Sequence, residues 1–172
     1  MPGPRSLPRA LAIGAIVFIL DQASKLWVVE GLRLPERGRI EILDPWLNFV
    51  MAWNQGVNFG LFDFGDGGRL WLIALAVAIV AGLLWWTRSA RGWGTAIGVG
   101  LVVGGALGNI ADRLRWGAVA DFLNMSCCGV ANPYAFNISD TSIFAGAAVL
   151  VFFAGDMRSD GARGRDGGGR MG

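Results

Sequence analysis

Four long apolar stretches, separated by polar segments, predict four membrane-spanning helices. About 20 predominantly apolar residues, within a range of roughly 17–25, are needed to cross a bilayer. The predicted spans are residues 10–29, 70–86, 93–111 and 137–155. The fourth must begin near Asn137, because its uninterrupted apolar run from residue 143 to residue 155 is too short to cross at about 1.5 Å per residue. Asp140 is therefore predicted to lie in the first turn of a helix rather than in a loop.

The first apolar stretch has a second interpretation. Residues 10–20 are about as long as a signal-peptide core, and "QAS" resembles a weak cleavage site. The apolar run resumes at "KLWVV" and completes a full span, which favours a membrane helix.

The composition places the chain among α-helical integral membrane proteins. Of its 172 residues, 53% are hydrophobic and 16% are charged, and the mean hydropathy is +0.48. The net charge of +2 is small and the arginines are dispersed, so no nucleic-acid partner is expected. The length fits one membrane-embedded domain over residues 1–157, followed by a Gly/Arg/Asp-rich cytoplasmic tail, 158–172, that is predicted to be disordered.

The placement of arginine predicts that both termini are cytoplasmic. Eight arginines fall in the N-terminal segment, the short loop between the second and third spans, and the tail, whereas six fall on the opposite side. Cytoplasmic loops carry the excess of Lys and Arg. The long loop 30–69 is then extracytoplasmic.

Two local patterns predict how these segments pack. Residues 47–54 alternate, with Leu47, Phe49, Met51 and Trp53 on one face, which predicts a strand in a small sheet on the membrane surface. The third span carries a ridge of small residues at four-residue spacing, which lets another helix approach closely. These residues are Gly100, Gly104 and Gly108.

The residue types exclude most catalytic systems. The chain has no histidine, which excludes Ser-His-Asp and Cys-His nucleophiles, HExxH zinc sites and haem ligation through imidazole. Cys127 and Cys128 are adjacent, so they cannot form a normal bridge with each other or a spaced metal site, and no role is assigned to them. The residue types leave carboxylate chemistry or no catalytic chemistry at all, and no metal or cofactor is expected.

Two aspartates near the span ends have partners that would explain them structurally. Asp21 has Lys25 at i+4, in the favourable order for an ion pair on a helix. Asp112 has Arg113 beside it as a ready partner. Both can be explained as ion pairs and helix caps at the membrane interface.

Asp121 and Asp140 have no adjacent cation. As structural residues they would be two desolvated, unpaired carboxylates, which proteins avoid. Two carboxylates within about 3 Å share one proton, so one can activate water while the other hydrogen-bonds a scissile carbonyl. Asp121, among β-branched and aromatic residues, is predicted to be extended. This pair suits a chain without histidine.

Two other functions fit the composition. A small proton-coupled transporter could use the aspartates and Lys25 as a relay, but it would carry carboxylates near mid-membrane and a repeat between its halves. Here the polar residues crowd one membrane face, and no repeat is visible. A Ser24/Lys25 dyad is weak, because adjacent helical residues do not face each other.

Four segments in their order and spacing resemble the lipoprotein signal peptidases (signal peptidase II) of bacteria. They are "DQASKLWV", "WNQGVNFGLF", "GNIADRLRWGAVADF" and "FNISDTSI", and the resemblance covers residues 10–155. It implies an aspartic endopeptidase of the bacterial plasma (inner) membrane, with four transmembrane helices and a small extracytoplasmic β-cradle. Such enzymes remove the signal peptide from a prolipoprotein just before a cysteine that carries a diacylglyceryl group.

The resemblance also implies roles for residues of this chain. Asp121 and Asp140 become the catalytic pair. The positions that match substrate-binding or supporting residues are Asn54, Gly56, Asn109, Asp112, Arg113, Asn137, Asp21 and Lys25. Asn58, Ala120 and Ser139 depart from the commoner residues of the pattern. The expected partners are a diacylglyceryl-prolipoprotein substrate and membrane lipid, and the chain is expected to act as a monomer.

Overall fold

A computed structural model of the protein describes residues 6–56 and 66–163. Its helices are α1 (Ser6–Leu26), which continues into a π-helical turn (Trp27–Gly31), α2 (Leu34–Arg37), α3 (Asp66–Thr87), α4 (Trp93–Trp116) and α5 (Ile138–Arg163). Its strands are β1 (Arg39–Leu43), β2 (Leu47–Asn54) and β3 (Val119–Asn124). Asn58, which differs from the commoner residue of the signal peptidase II pattern, lies outside the described residues.

The four predicted spans are helical except at Asn137, which immediately precedes α5. Within the described ranges, three helices are long and apolar enough to cross a membrane, namely Ser6–Gly31, Gly68–Thr87 and Trp93–Trp116. The apolar part of α5, Ile138–Phe153, is shorter. The first helix runs through "QAS" without a break, which supports its interpretation as a membrane helix. α5 continues to Arg163, so residues 158–163 are helical and not part of a disordered tail. Residues 164–172 lie outside the described part.

α4 is the central helix of the bundle. It packs against α1, α5 and α3. In the most apolar 18-residue stretch of α4, 67% of the residues are buried, compared with 6% in the corresponding stretch of α3. Most of the α3 surface is therefore left to face lipid, whereas α4 holds the other helices together.

Glycines let α1 and α5 approach α4 closely. The predicted ridge is confirmed: a Cβ at Gly104 would lie 2.6 Å from the carbonyl oxygen of Gly14 in α1. A Cβ at Gly108 would lie 2.5 Å from Asp21 Oδ2 and would also collide with Ser139 Oγ of α5. The rest of the α5 contact uses a second set of glycines that the sequence did not single out, Gly98 and Gly105 on α4 and Gly146 on α5.

The three strands form one antiparallel sheet in the order β1-β2-β3. β2 has its predicted bounds, and β3 confirms the extended conformation expected around Asp121. The strict alternation predicted for β2 is wrong, because the register shifts between Phe49 and Ala52, and Asn48 and Phe49 are both buried. After this irregularity Ala52 pairs with Asp121.

The sheet is attached to the end of α1 by a small apolar cluster of Val28, Leu34, Phe49 and Phe122. The rings of Phe49 and Phe122 meet edge to face, with centroids 5.6 Å apart. This contact holds β3, and Asp121 within it, at the polar end of the helices.

Candidate active site

Asp121 is held in β3 by two asparagine side chains. It is only 4% exposed. Its Oδ1 accepts a hydrogen bond of 2.6 Å from Asn137 Nδ2, and its Oδ2 accepts one of 3.1 Å from Asn54 Nδ2. The orientation of Asn54 is set in turn by Gly56, whose backbone N–H donates to Asn54 Oδ1 at 3.0 Å. Gly56 has a φ of +106°, in the region that favours glycine.

Asp140 lies in the first turn of α5, as predicted. Asn137 immediately precedes this helix, and its Oδ1 accepts the Asp140 backbone N–H at 2.8 Å, as an N-cap residue does. Asp140 Oδ1 accepts a hydrogen bond of 2.9 Å from Asn109 Nδ2 of α4. A carboxylate is also favoured in the first turn of a helix by the helix dipole. Asn137 therefore touches both candidate catalytic residues.

The electrostatic environment of the two aspartates is unequal. Burial raises the pKa of Asp121 to about 7, and the nearby negative charge of Asp140 adds to the effect. The amide donors of Asn54 and Asn137 lower that pKa but do not offset burial. The Arg113 guanidinium interacts electrostatically with both aspartates, and its Nη1 donates to the Asn109 carbonyl oxygen at 3.2 Å.

A buried ion cluster lies next to the aspartates. Lys25 Nζ is 2.8 Å from Asp21 Oδ2 and 2.7 Å from Asp112 Oδ2, and all three side chains are fully buried. The predicted Asp21–Lys25 pair is confirmed. The ion-pair partner predicted for Asp112, its neighbour Arg113, is wrong, because Lys25 reaches Asp112 from the helix packed against α4.

The carboxylates of this cluster also bind backbone next to the candidate pair. Asp112 Oδ2 accepts the N–H of Ala120 at 3.1 Å, one residue before Asp121. Asp21 Oδ1 accepts the N–H of Ser139 at 2.9 Å, one residue before Asp140. Ala120 and Ser139, noted as departures from the commoner residues, thus contribute through their backbone.

Gln22 is a member of this cluster that the sequence analysis did not single out. Its Nε2 donates to Asp112 Oδ1 at 2.9 Å, to Asp21 Oδ2 at 3.1 Å and to the Gly108 carbonyl oxygen at 3.3 Å. A polar side chain inside an apolar span was a signal that could have identified it.

No group of three or more His, Cys, Asp or Glu side chains that could hold a metal occurs in the described ranges 6–56 and 66–163. Cys127 and Cys128 are exposed, free thiols. Asp121 and Asp140 each accept hydrogen bonds from asparagine amides, and the two carboxyl groups interact electrostatically.

Comparison with known proteins identifies the family. Residues 13–154 match the family model described as Signal peptidase (SPase) II. The chain belongs to the signal peptidase II family. The lipoprotein signal peptidase of Rhodopseudomonas palustris (strain ATCC BAA-98 / CGA009) is 42% identical over 144 residues, which cover 81% of this chain and 87% of the relative. That of Caulobacter vibrioides is 38% identical over 143 residues, which cover 83% of each chain.

Two solved structures share the fold of this chain. A bacterial membrane enzyme solved by the in meso method at 2.3 Å resolution superposes with a TM-score of 0.74 at 21% identity, over 99% of both chains. A second, solved at 1.9 Å, has a TM-score of 0.74 at 23% identity, over 88% of this chain and 96% of the other. At these identities the likeness establishes the fold alone.

Membership in the signal peptidase II family confirms the predicted resemblance and the predicted peptidase activity. The alternative of a proton-coupled transporter finds no support in these relatives. The apolar helices and membership in the signal peptidase II family identify a multi-pass membrane protein.

Proposed function

We propose that this signal peptidase is an aspartic endopeptidase that uses Asp121 and Asp140 to cut prolipoproteins before a diacylglyceryl-modified cysteine. The observation that carries the proposal is Asn137, which donates to Asp121 and caps the helix turn that bears Asp140. One side chain thus binds the carboxyl group of Asp121 and the backbone N–H of Asp140, which belong to separate elements. Asn54 gives Asp121 a second amide donor, and Asn109 donates to the Asp140 carboxyl group.

The reaction proceeds by general acid–base catalysis with one shared proton. The Asp140 carboxylate takes a proton from water, and the water oxygen bonds to the scissile carbonyl carbon. Asp121 gives its proton to the carbonyl oxygen, which forms a tetrahedral diol. The carbon–nitrogen bond then breaks as Asp140 gives its proton to the leaving amine and Asp121 takes a proton from a diol hydroxyl, which restores the starting protonation of both groups.

The assignment of the shared proton to Asp121 rests on burial and charge. Asp121 is nearly inaccessible and its pKa is raised to about 7, so it holds a proton near neutral pH. Asp140 is more exposed and lies at a helix N-terminus, where a negative charge is stabilised. We therefore assign Asp121 as the general acid and Asp140 as the general base of the first step.

Arg113 is the candidate group for binding the peptide backbone. Its Nε is buried without a hydrogen-bond partner among the described residues. A buried unpaired donor is costly, and a substrate carbonyl would satisfy it. We assign Arg113 to orienting the scissile segment above the aspartates.

The membrane position suits a lipid-bearing substrate. The candidate pair lies where α1 and α4 end and α5 begins, beside the sheet. The diacylglyceryl chains stay in the bilayer while the peptide bond reaches water at this edge. With both termini cytoplasmic, the site opens to the extracytoplasmic face of the bacterial inner membrane, and we expect a monomer to be sufficient.

Cleavage by the purified protein in detergent tests the proposed function. We expect a diacylglyceryl-modified prolipoprotein to be cut so that the product begins with the lipidated cysteine. A matched substrate with serine in place of that cysteine, which cannot carry the lipid, should remain uncut. Cleavage of both substrates at equal rates, or at another bond, would contradict the proposal.

The rate of cleavage should fall as the pH rises above about 7. Asp121 must be protonated to act as the acid, and its pKa is about 7. Above that value the rate should drop about tenfold per pH unit. Asn54→Ala removes a donor that lowers this pKa, so its basic limb should lie at higher pH. A rate that is flat from about pH 6 to about 9 would exclude Asp121 as the acid.

A further inference from the structure

Lys25 is the one lysine of the chain, and its side chain is fully buried. An ammonium group has three N–H donors and no acceptor. Lys25 Nζ lies within hydrogen-bonding distance of three oxygens: Asp21 Oδ2 at 2.8 Å, Asp112 Oδ2 at 2.7 Å and Asn109 Oδ1 at 3.3 Å. All three of its protons are therefore used.

Each of these three bonds leads to the candidate catalytic pair. Asp112 holds the N–H of Ala120, which precedes Asp121. Asp21 holds the N–H of Ser139, which precedes Asp140. Strand β3 and helix α5 are thus each joined to one buried carboxylate, and the Lys25 ammonium joins the two carboxylates.

The third bond fixes the orientation of an amide. Because an ammonium group can only donate, the Asn109 atom that faces Lys25 must be the oxygen. The NH₂ group of Asn109 is then directed at Asp140 Oδ1, to which it donates at 2.9 Å. Donors to a carboxylate oxygen favour the ionised form, which is the form that a general base needs. In the proposed mechanism Asp140 is that base.

We propose that Lys25 is a positioning residue for the reaction: its ammonium group holds Asp121 and Asp140 in fixed positions relative to each other. Through Asn109, it also keeps a donor directed at Asp140. The inference rests on the proposed aspartic mechanism. It goes beyond a stabilising ion pair, because it assigns to Lys25 an effect on the rate and on the pH profile of the folded enzyme.

Other charged groups face the pair and must be considered in any pH experiment. They are Asp21 from α1 and Asp112 from α4, which contact Lys25, and Arg113 from α4, which interacts with both Asp121 and Asp140. Lys25 also interacts with Asp121 through its charge. A substitution at Lys25 could therefore act by direct charge or through Asn109, and the experiment has to separate the two.

The first comparison is between wild type and Lys25→Met, with a lipidated prolipoprotein in detergent. We expect kcat to fall by about 10²-fold while KM changes little, because the reacting groups are displaced but Asn54 and Arg113 remain. The acidic limb of the pH profile, where the general base becomes protonated, should move to higher pH, because the hydrogen bond from Asn109 to that base is no longer held in place.

Coupling to Asn109 separates the two routes. Asn109→Leu removes the donor to Asp140 and should move the acidic limb in the same direction. If Lys25 acts through Asn109, then Lys25→Met adds no further shift in the Asn109→Leu background. Shifts that add in the double variant would show that Lys25 acts as a charge through space, and would overturn the assignment.

Two controls address folding. Gln22→Met weakens the same cluster but leaves Lys25 and Asn109 in contact, so it should lower thermal stability without moving the acidic limb. Lys25→Met leaves two buried carboxyl groups without their cation. The second control is therefore the double variant Lys25→Met/Asp112→Asn, in which the cluster keeps its wild-type net charge. It is compared with Asp112→Asn alone. The same shift of the limb is expected between these two.

The outcomes separate this inference from the proposed function. A lipidated substrate left uncut by the wild-type protein would overturn both. A wild type that cuts, together with a folded Lys25→Met variant that keeps the wild-type kcat and acidic limb, would overturn the role of Lys25 alone.

Discussion

Replacing either Asp121 or Asp140 with asparagine should lower the rate of prolipoprotein cleavage by about 10²–10⁴-fold, the usual contribution of general acid–base catalysis. Asparagine keeps the shape of the side chain and accepts a hydrogen bond, but it cannot exchange a proton. Asp121→Asn removes the acid that protonates the carbonyl oxygen. Asp140→Asn removes the base that activates water. Both variants should still fold and bind substrate.

The measurement is single-turnover cleavage of a lipidated prolipoprotein, with thermal unfolding in detergent to verify the fold. Asp44→Asn is a suitable control, because Asp44 is a half-exposed carboxylate that pairs with Arg39 at 2.6 Å on the sheet. It should cut at nearly the wild-type rate. If Asp121→Asn and Asp140→Asn also cut at that rate, the two aspartates are structural and the aspartic mechanism is excluded.

Asn137→Leu should lower both cleavage and stability. The side chain donates to Asp121 and accepts the N–H of Asp140, so leucine removes a donor and a helix cap together. Loss of an N-cap costs about 0.5–2 kcal/mol of stability. Loss of the donor and displacement of Asp140 should lower kcat by about 10²-fold.

Asn137→Asp separates the two effects. Aspartate is a good N-cap, so thermal stability should be higher than that of Asn137→Leu. An ionised aspartate cannot donate to Asp121, and it adds a third carboxyl group beside the pair, so cleavage should stay low. An Asn137→Asp variant that regains both stability and activity would show that Asn137 matters only as a cap.

Local features of the fold were predictable from the sequence. The third span begins at Trp93 in the prediction and in the structure, and β2 has the predicted bounds. The Asp21–Lys25 pair was predictable because residues four apart on a helix always lie on one face. Apolar length, strand alternation and helix spacing are properties of neighbouring residues, so a single sequence carries them.

Contacts between distant segments were not predictable in the same way. Nothing local shows that β3 joins the β1–β2 hairpin, or that β2 shifts its register between Phe49 and Ala52. The hydrogen bond between Ser139 and Asp21 joins residues 118 positions apart. For the same reason Asp112 was paired with its neighbour, whereas its actual partner is Lys25 of another helix.

The sequence by itself determined which chemistry was available. A chain without histidine, with aspartates at one membrane edge and the signal peptidase II motifs, left carboxyl groups as the candidate catalysts. Only the tertiary structure decided how the neighbouring amides are oriented. An asparagine can donate or accept, and its partner decides which. Lys25 and the N–H groups of Asp140 and Gly56 each donate to the side-chain oxygen of one asparagine. The NH₂ group of that asparagine is thereby directed at Asp121 or Asp140.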